Sequence, residues 1–204
     1  MTQLQAQAHP RRRPLIATVL RELAETVLLA VAIFVGVNIL SARFRIDGDS
    51  MADSFHDGQY IIVNRMAYHF NPPARGDVVV FVPPESSTAT FWENLLGRPG
   101  QTDFIKRVVA VPGDSVEIDA GQLYVNGAQA LEAYLHEPMR PADTQRWQLA
   151  AGQYLVLGDN RNFSKDSRAA RIGPVPLEQI VGKVWAVYYP IADWRIVRTH
   201  GNQD

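Results

Sequence analysis

The stretch DFIKRVVAV, residues 103–111, decides how the rest of this chain is read. Aromatic and β-branched residues surround two cations, as in a strand. A period of two puts Phe104, Lys106, Val108 and Ala110 on one face and Ile105, Arg107, Val109 and Val111 on the other. Two neighbouring cations therefore stand on opposite, otherwise apolar faces. A buried arginine stays charged and needs a carboxylate, whereas a desolvated lysine readily gives up its proton. Lys106 is a candidate neutral amine, set against the plainer reading of a strand lysine that snorkels to water.

Working outward, similar short stretches recur: YIIV (60–63), DVVVFV (77–82), SVEI (115–118), QLYV (122–125), YLVL (154–157) and VGKVWAVYY (181–189). They are separated by Gly, Pro, Asn and Asp, the punctuation of an all-β domain. SVEIDAGQLYVNG reads as a hairpin connected through residues 119–122, with Asn126-Gly127 as the next turn. Two stretches interrupt the pattern. Residues 131–148 are polar and read as a long surface excursion. Residues 83–102 contain Phe91, Trp92, Leu95 and Leu96, which read as a short helix packed on the domain, with contact at a membrane interface as the other reading.

Ahead of the β pattern lies TVLLAVAIFVGVNILSA, residues 26–42, which carries no charge. As a helix it would span about 26 Å, the short end of a membrane crossing. A cleaved leader is disfavoured, because a long charge-bearing segment precedes the run and Leu40 occupies the −3 place before Ala42. A core helix is disfavoured because the run is apolar nearly all round. Arg11, Arg12, Arg13 and Arg21 precede the run and Arg43 and Arg45 follow it, so the basic bias places the N-terminus in the cytoplasm. The expected organisation is a cytoplasmic tail over 1–24, an anchor in the cell membrane over 25–42 and an extracytoplasmic domain over 43–204, with a small excursion at about 113–152.

Twenty Lys and Arg against 21 Asp and Glu leave a net charge of −1, so no electrostatic ground exists for nucleic-acid binding. The absence of cysteine removes disulfides, thiolate metal sites and a cysteine nucleophile. No metal-binding signature such as HExxH is present, and no cofactor is expected.

Between anchor and first strand lies GDSMADSF, residues 48–55, a Gly/Asp-rich turn able to present Ser50 as a nucleophile. A serine hydroxyl needs a base. Of the five histidines, His9 falls before the anchor and His200 in the terminal tail, while His56, His69 and His136 have no orienting carboxylate legible in sequence. There is no GxSxG elbow. Lys106 is the more informative candidate.

GDSM (48–51), RGDVVVF (75–81), FIKRVVAVPGD (104–114) and GDNRNFSKDSR (158–168), in that order after one apolar span, resemble type I signal peptidases. The single span and short insertion look more like the Gram-positive type. The resemblance implies a mainly β fold and a membrane-tethered serine endopeptidase that removes signal peptides from exported preproteins. By matching position it implies Ser50 as nucleophile, Lys106 as general base and Ser164 as the hydroxyl that orients the lysine amine. It further implies supporting ion pairs Asp159–Arg107 and Asp166–Arg168, a cleft bordered by Gly48, Asp49 and Met51, and an oxyanion held by the Ser50 N–H. Substrates would carry small residues at −1 and −3 and lie as an extended strand beside the YIIV or DVVVF edge. Two departures stand out: Ala52-Asp53-Ser54-Phe55 replaces the family's x-Pro-Thr-Leu, and Asn162-Phe163 replaces its Asp-Asn. Asp53 is expected to raise the Lys106 pKa if it approaches the amine, or else to serve only as a turn residue. The alternatives are a self-cleaving Ser/Lys repressor, disfavoured by the apolar span, and a catalytically weak membrane-tethered paralogue that binds exported peptides.

Overall fold

The structure, a computed structural model, describes residues 15–52, 54–84 and 103–199. Asp53 and most of the 83–102 excursion, including Phe91, Trp92, Leu95 and Leu96, lie outside the described residues, as do Arg11, Arg12 and Arg13. The chain divides into two compact units, Met1–Val37 and Asn38–Asp204.

Helix α1 covers Leu15–Leu40. It begins well before the uncharged run, because Arg21 and Glu25 sit one turn apart and pair at 2.7 Å, a spacing that supports a helix. It ends two residues short of the expected boundary, since Ser41 and Ala42 are taken into strand β1 (Ser41–Arg45), where they pair with Asn64 and Val63. The apolar part, Ile16–Leu40, is long enough to cross a membrane.

The second unit is built from antiparallel sheet. The remaining strands of its main sheet are β2 (Tyr60–Asn64), β3 (Val78–Phe81), β4 (Phe104–Ala110), β9 (Gln153–Leu157), β10 (Val175–Pro176), β11 (Ile180–Tyr189) and β12 (Arg195–Ile196). They run in the order β1-β2-β11-β3-β4-β9-β10, with β12 also on β11. A smaller sheet, β7-β6-β5-β8, uses β5 (Ser115–Asp119), β6 (Gln122–Val125), β7 (Ala128–Gln129) and β8 (Gln145–Gln148). The hairpin of β5 and β6 closes through Ala120 and Gly121, both at positive φ (47° and 79°), as a two-residue turn matched to strand twist requires.

Strand β4 lies between β3 and β9 and is buried from Lys106 onward. Val108 packs with Val79, Phe81 and Val156, as the alternation predicts. Ala110 does not follow it: Val109 and Ala110 share one cluster with Leu155 and Leu157. The β4–β9 register shifts between Val108 and Ala110, and such an irregularity breaks the period of two.

Strands β2 and β3 each have neighbours on both sides, so neither YIIV nor DVVVF offers an edge to a peptide, contrary to the sequence expectation. The open edge is elsewhere. On β4, residues 104–107 pair with β3, but pairing with β9 begins only at Arg107. The polar excursion is also tighter than expected. Met139 is buried in the cluster of Val116, Ile118 and Leu123, and a side chain at Gly121 would strike the Met139 carbonyl.

Candidate active site

Ser50 sits on a turn held from both directions. Gly48, at φ 93°, donates its N–H to Asp57 Oδ1 at 2.9 Å, and Ala52 N–H closes back on Asp49 O at 3.0 Å. From across the domain, Asn160 donates its N–H to Ser50 O (3.1 Å) and its Nδ2 to Asp49 O (3.0 Å). Behind the turn, Arg195 of β12 donates to Ser54 O at 2.6 Å and lies over the Phe55 ring.

Lys106 reaches this turn from β4. Its Nζ is 2.7 Å from Ser50 Oγ and 2.7 Å from the Ile105 carbonyl. Burial pushes its pKa down to about 8; Asp166 and Asp159 oppose the shift and Arg168 adds to it. A serine hydroxyl therefore faces an amine that is partly neutral near neutral pH, the pairing that general-base activation needs.

The neighbouring arginine has what a buried guanidinium requires. Arg107 donates to both oxygens of Asp159, at 2.8 and 2.6 Å, and to Gly76 O at 3.0 Å, and it lies 4.2 Å from the Tyr134 ring centre. Ser54 Oγ donates to the same carboxylate at 2.6 Å. The second expected pair is also present, with Arg168 Nε 2.8 Å from Asp166 Oδ1. Burial would raise the Asp166 pKa, but bonds from Arg168 and the Gly158 N–H, with the Ser164 hydroxyl nearby, hold it below the ordinary carboxylate value.

Two placements differ from the sequence reading. Met51 does not line the cleft. It is 1% exposed, packs in the core with Phe55 and Ile61, and accepts the Asp159 N–H on its sulfur. Being apolar and next to the exposed residues 47–49 of the turn, it turns inward to fill the core. Ser164 lies at the site, but among the described residues its Oγ is buried without a hydrogen-bond partner, and the lysine amine bonds instead to Ser50 and Ile105. Gly158 fills the space between: a Cβ there would collide with both the Ser164 side chain and the Ser50 carbonyl. The candidate bases His56 and His69 are exposed.

Sequence reasoning missed Ser54, Asn160, Arg161, Glu132 and Arg195. Asn160 and Arg161 stand inside the GDNRNFSKDSR stretch and were legible there as polar neighbours of Asp159. Glu132 and Arg195 had no local signal.

A cleft of about 580 Å³ opens over Ser50 and Lys106. Gly48 and Asp49 are on its rim, with Phe44, Ile61, Val80 and Ile105 as apolar walls and Asp103 and Phe163 beside them. Burial, only partly offset by Arg65, raises the Asp103 pKa to about 6. Among the described residues no group of three or more histidines and carboxylates could hold a metal ion.

The family model described as signal peptidase, peptidase S26, matches residues 20–189. The chain belongs to this signal peptidase family. A probable signal peptidase I-1 of Synechocystis is 34% identical over 168 residues, covering 82% of this chain and 81% of that one. A signal peptidase IB of Staphylococcus aureus is 32% identical over 196 residues, covering 86% and 94%. The crystal structure of a signal peptidase I from Enterococcus faecalis V583 shares 28% identity and covers 55% of this chain and 97% of that chain, with a TM-score of 0.42. With relatives of this identity over most of its length, the chain is a signal peptidase I hydrolase whose partners are preprotein signal peptides.

Proposed function

We propose that this signal peptidase is a membrane-tethered endopeptidase working through a Ser50/Lys106 dyad. The observation that carries the reading is the 2.7 Å separation of Ser50 Oγ from a buried amine whose pKa lies near 8. With the amine neutral, the hydroxyl donates to it. Ser50 Oγ then attacks the scissile carbonyl while Nζ takes the proton, and Nζ returns that proton to the departing amine. Water, deprotonated by the same lysine, releases the acylated Ser50. The Ser50 N–H serves as the oxyanion donor. Ser164 Oγ, buried and unpaired, is the hydroxyl to which Nζ turns when it leaves the Ile105 carbonyl. An unpaired buried hydroxyl costs about 1–3 kcal/mol, which that bond would recover.

The signal peptide lies extended against the open 104–106 edge of β4, and its small −1 and −3 side chains enter between Phe44, Ile61, Val80 and Ile105. Helix α1 tethers the enzyme to the cell membrane with residues 1–24 in the cytoplasm and the catalytic residues outside. The exposed Trp185, Tyr189, Ile191 and Trp194 favour a bilayer surface as neighbour.

The test is cleavage of a preprotein carrying an Ala-x-Ala site by the detergent-solubilised full chain, with Ser50→Ala and Lys106→Ala beside it. Both variants are expected to be inactive and folded, and cleavage by folded Lys106→Ala would remove the dyad. Protease added outside cells stripped of their outer layers is expected to digest the catalytic unit. Protection until lysis would reverse the topology.

A further inference from the structure

Residues 131–140, polar and outwardly a surface excursion, are joined to residues 158–168 by bonds that concentrate on one buried side chain. Arg161 is that hub. Its guanidinium is fully buried and paired in fork geometry with Glu132, Nη1 to Oε2 and Nη2 to Oε1, each at 2.5 Å. Tyr134 donates its hydroxyl to Glu132 Oε1 at 2.7 Å and accepts from Arg161 Nη2 at 3.3 Å. Burial by itself would favour loss of the Arg161 proton, but the Glu132 carboxylate more than offsets it and keeps the guanidinium charged.

The third donor of the fork points toward the reaction. Arg161 Nε donates to Gly158 O at 3.0 Å. Gly158 opens the tripeptide that grips the nucleophile turn: Asp159 N–H on Met51 sulfur, Asn160 N–H on Ser50 O, and Asn160 Nδ2 on Asp49 O. A continuous chain of bonds thus runs from Glu132 through Arg161 and residues 158–160 to Ser50. The excursion is bound to the same loop at other points as well. Arg140 N–H donates to Asn162 Oδ1, Asn162 Nδ2 donates to Pro138 O, and Arg168 reaches Met139 sulfur.

We propose that Glu132 is a positioning residue for the cleavage reaction: by fixing Arg161 it sets the 158–160 backbone that holds Ser50 against Lys106. The inference rests on the Ser50/Lys106 reading. A glutamine at 132 keeps the shape but has one acceptor oxygen, and it leaves the buried Arg161 charge without its carboxylate. The guanidinium must then move or draw in water, and the carbonyl of Gly158 moves with it. A displacement of about 1 Å at a reacting group costs on the order of 10²-fold in rate.

The experiment uses the full chain in detergent micelles with an Ala-x-Ala preprotein, and measures kcat, KM and Tm for Glu132→Gln, Asn160→Ala and the double variant. Glu132→Gln is expected to lower kcat roughly 10–100-fold while KM stays within about twofold. Because both substitutions break one chain, the double variant is expected to be no slower than the slower single. The inference is overturned if kcat stays within about twofold of wild type, if only Tm falls, or if the two losses multiply as independent effects do. Should Glu132→Gln not fold, Tyr134→Phe, which removes one bond from the same carboxylate, takes its place in the cycle. Ser50→Ala is run in parallel. Activity in that variant would strike the dyad itself, whereas an inactive Ser50→Ala beside a wild-type Glu132→Gln strikes only the positioning role.

Discussion

Lys106 and Arg107 are neighbours on β4 and nearly equally buried, at 3% and 1% exposure, yet their surroundings differ in kind. Around Arg107 every strong donor meets an acceptor: Asp159 on two nitrogens, the Gly76 carbonyl, and a tyrosine ring beneath. Beyond it, Arg161 with Glu132 and Arg168 with Asp166 repeat the pattern, so three guanidinium groups are matched by three carboxylates. Among the described residues Lys106 has no carboxylate partner within salt-bridge distance. It has a serine hydroxyl, a carbonyl and, across Gly158, the buried Ser164 oxygen. The charged half of the site is thus over-determined and the reactive half is left short of partners. A lysine with its own carboxylate would stay protonated and be useless as a base.

The comparison is broken most severely by paired substitutions to the same apolar residue. Lys106→Met is expected to abolish preprotein cleavage, a loss of at least about 10³-fold in kcat, while Tm stays level or rises, since a desolvated amine is exchanged for an apolar chain. Arg107→Met strands a buried Asp159 and is expected to cost about 3–5 kcal/mol of stability, read by denaturant unfolding of the solubilised protein. If the two variants lose equal stability, the contrast between the flanks is wrong.

A smaller effect tests the contact between the flanks. Gly158→Ala places a methyl against the Ser50 carbonyl and the Ser164 side chain, and is expected to reduce kcat by about 10–100-fold with a smaller change in KM. A wild-type rate would mean that the turn can retreat without moving the hydroxyl.

The smallest effect is one of pH. Below the free-enzyme pKa of Lys106, about 8, the amine is protonated and kcat/KM falls with falling pH. Asp166 is the strongest of the charges that hold this pKa up, so Asp166→Asn is expected to lower it further and carry the acidic limb to lower pH. Arg168, released from its partner, acts in the same direction. The shift is expected to stay within about one unit, or about 1.4 kcal/mol. A limb that stays where it is would show that the lysine does not feel this carboxylate, and one that moves upward would reverse the sign.

Much of this was legible along the chain. Strands with alternating or continuous apolar residues, the turn at Gly121 and the apolar helix are local features, set by side-chain period, turn chemistry and length. For Arg107, residue chemistry alone gave only the need for a carboxylate, and the pairs Arg107–Asp159 and Arg168–Asp166 were legible only through the resemblance carried by the ordered motifs. The inward turn of Met51 and the loss of alternation at Ala110 were not. The first depends on what fills the core beneath the nucleophile, and the second on a register shift imposed by β9.

By itself the sequence determined that a mainly β chain follows an apolar helix, and it made Ser50 on a Gly/Asp-rich turn and Lys106 on an apolar strand face candidates, with a snorkelling lysine as the other reading. Tertiary structure alone decided which groups meet. It brought Glu132 from a polar excursion to Arg161, Asn160 to the Ser50 carbonyl and Arg195 from the last strand to Ser54. Each of these bonds joins residues far apart in sequence, and a lone polar side chain in a loop carries no period or spacing to announce its partner. Only the sheet order, which places β4, the 158–168 loop and the 131–140 segment around one buried space, gives those side chains something to bind.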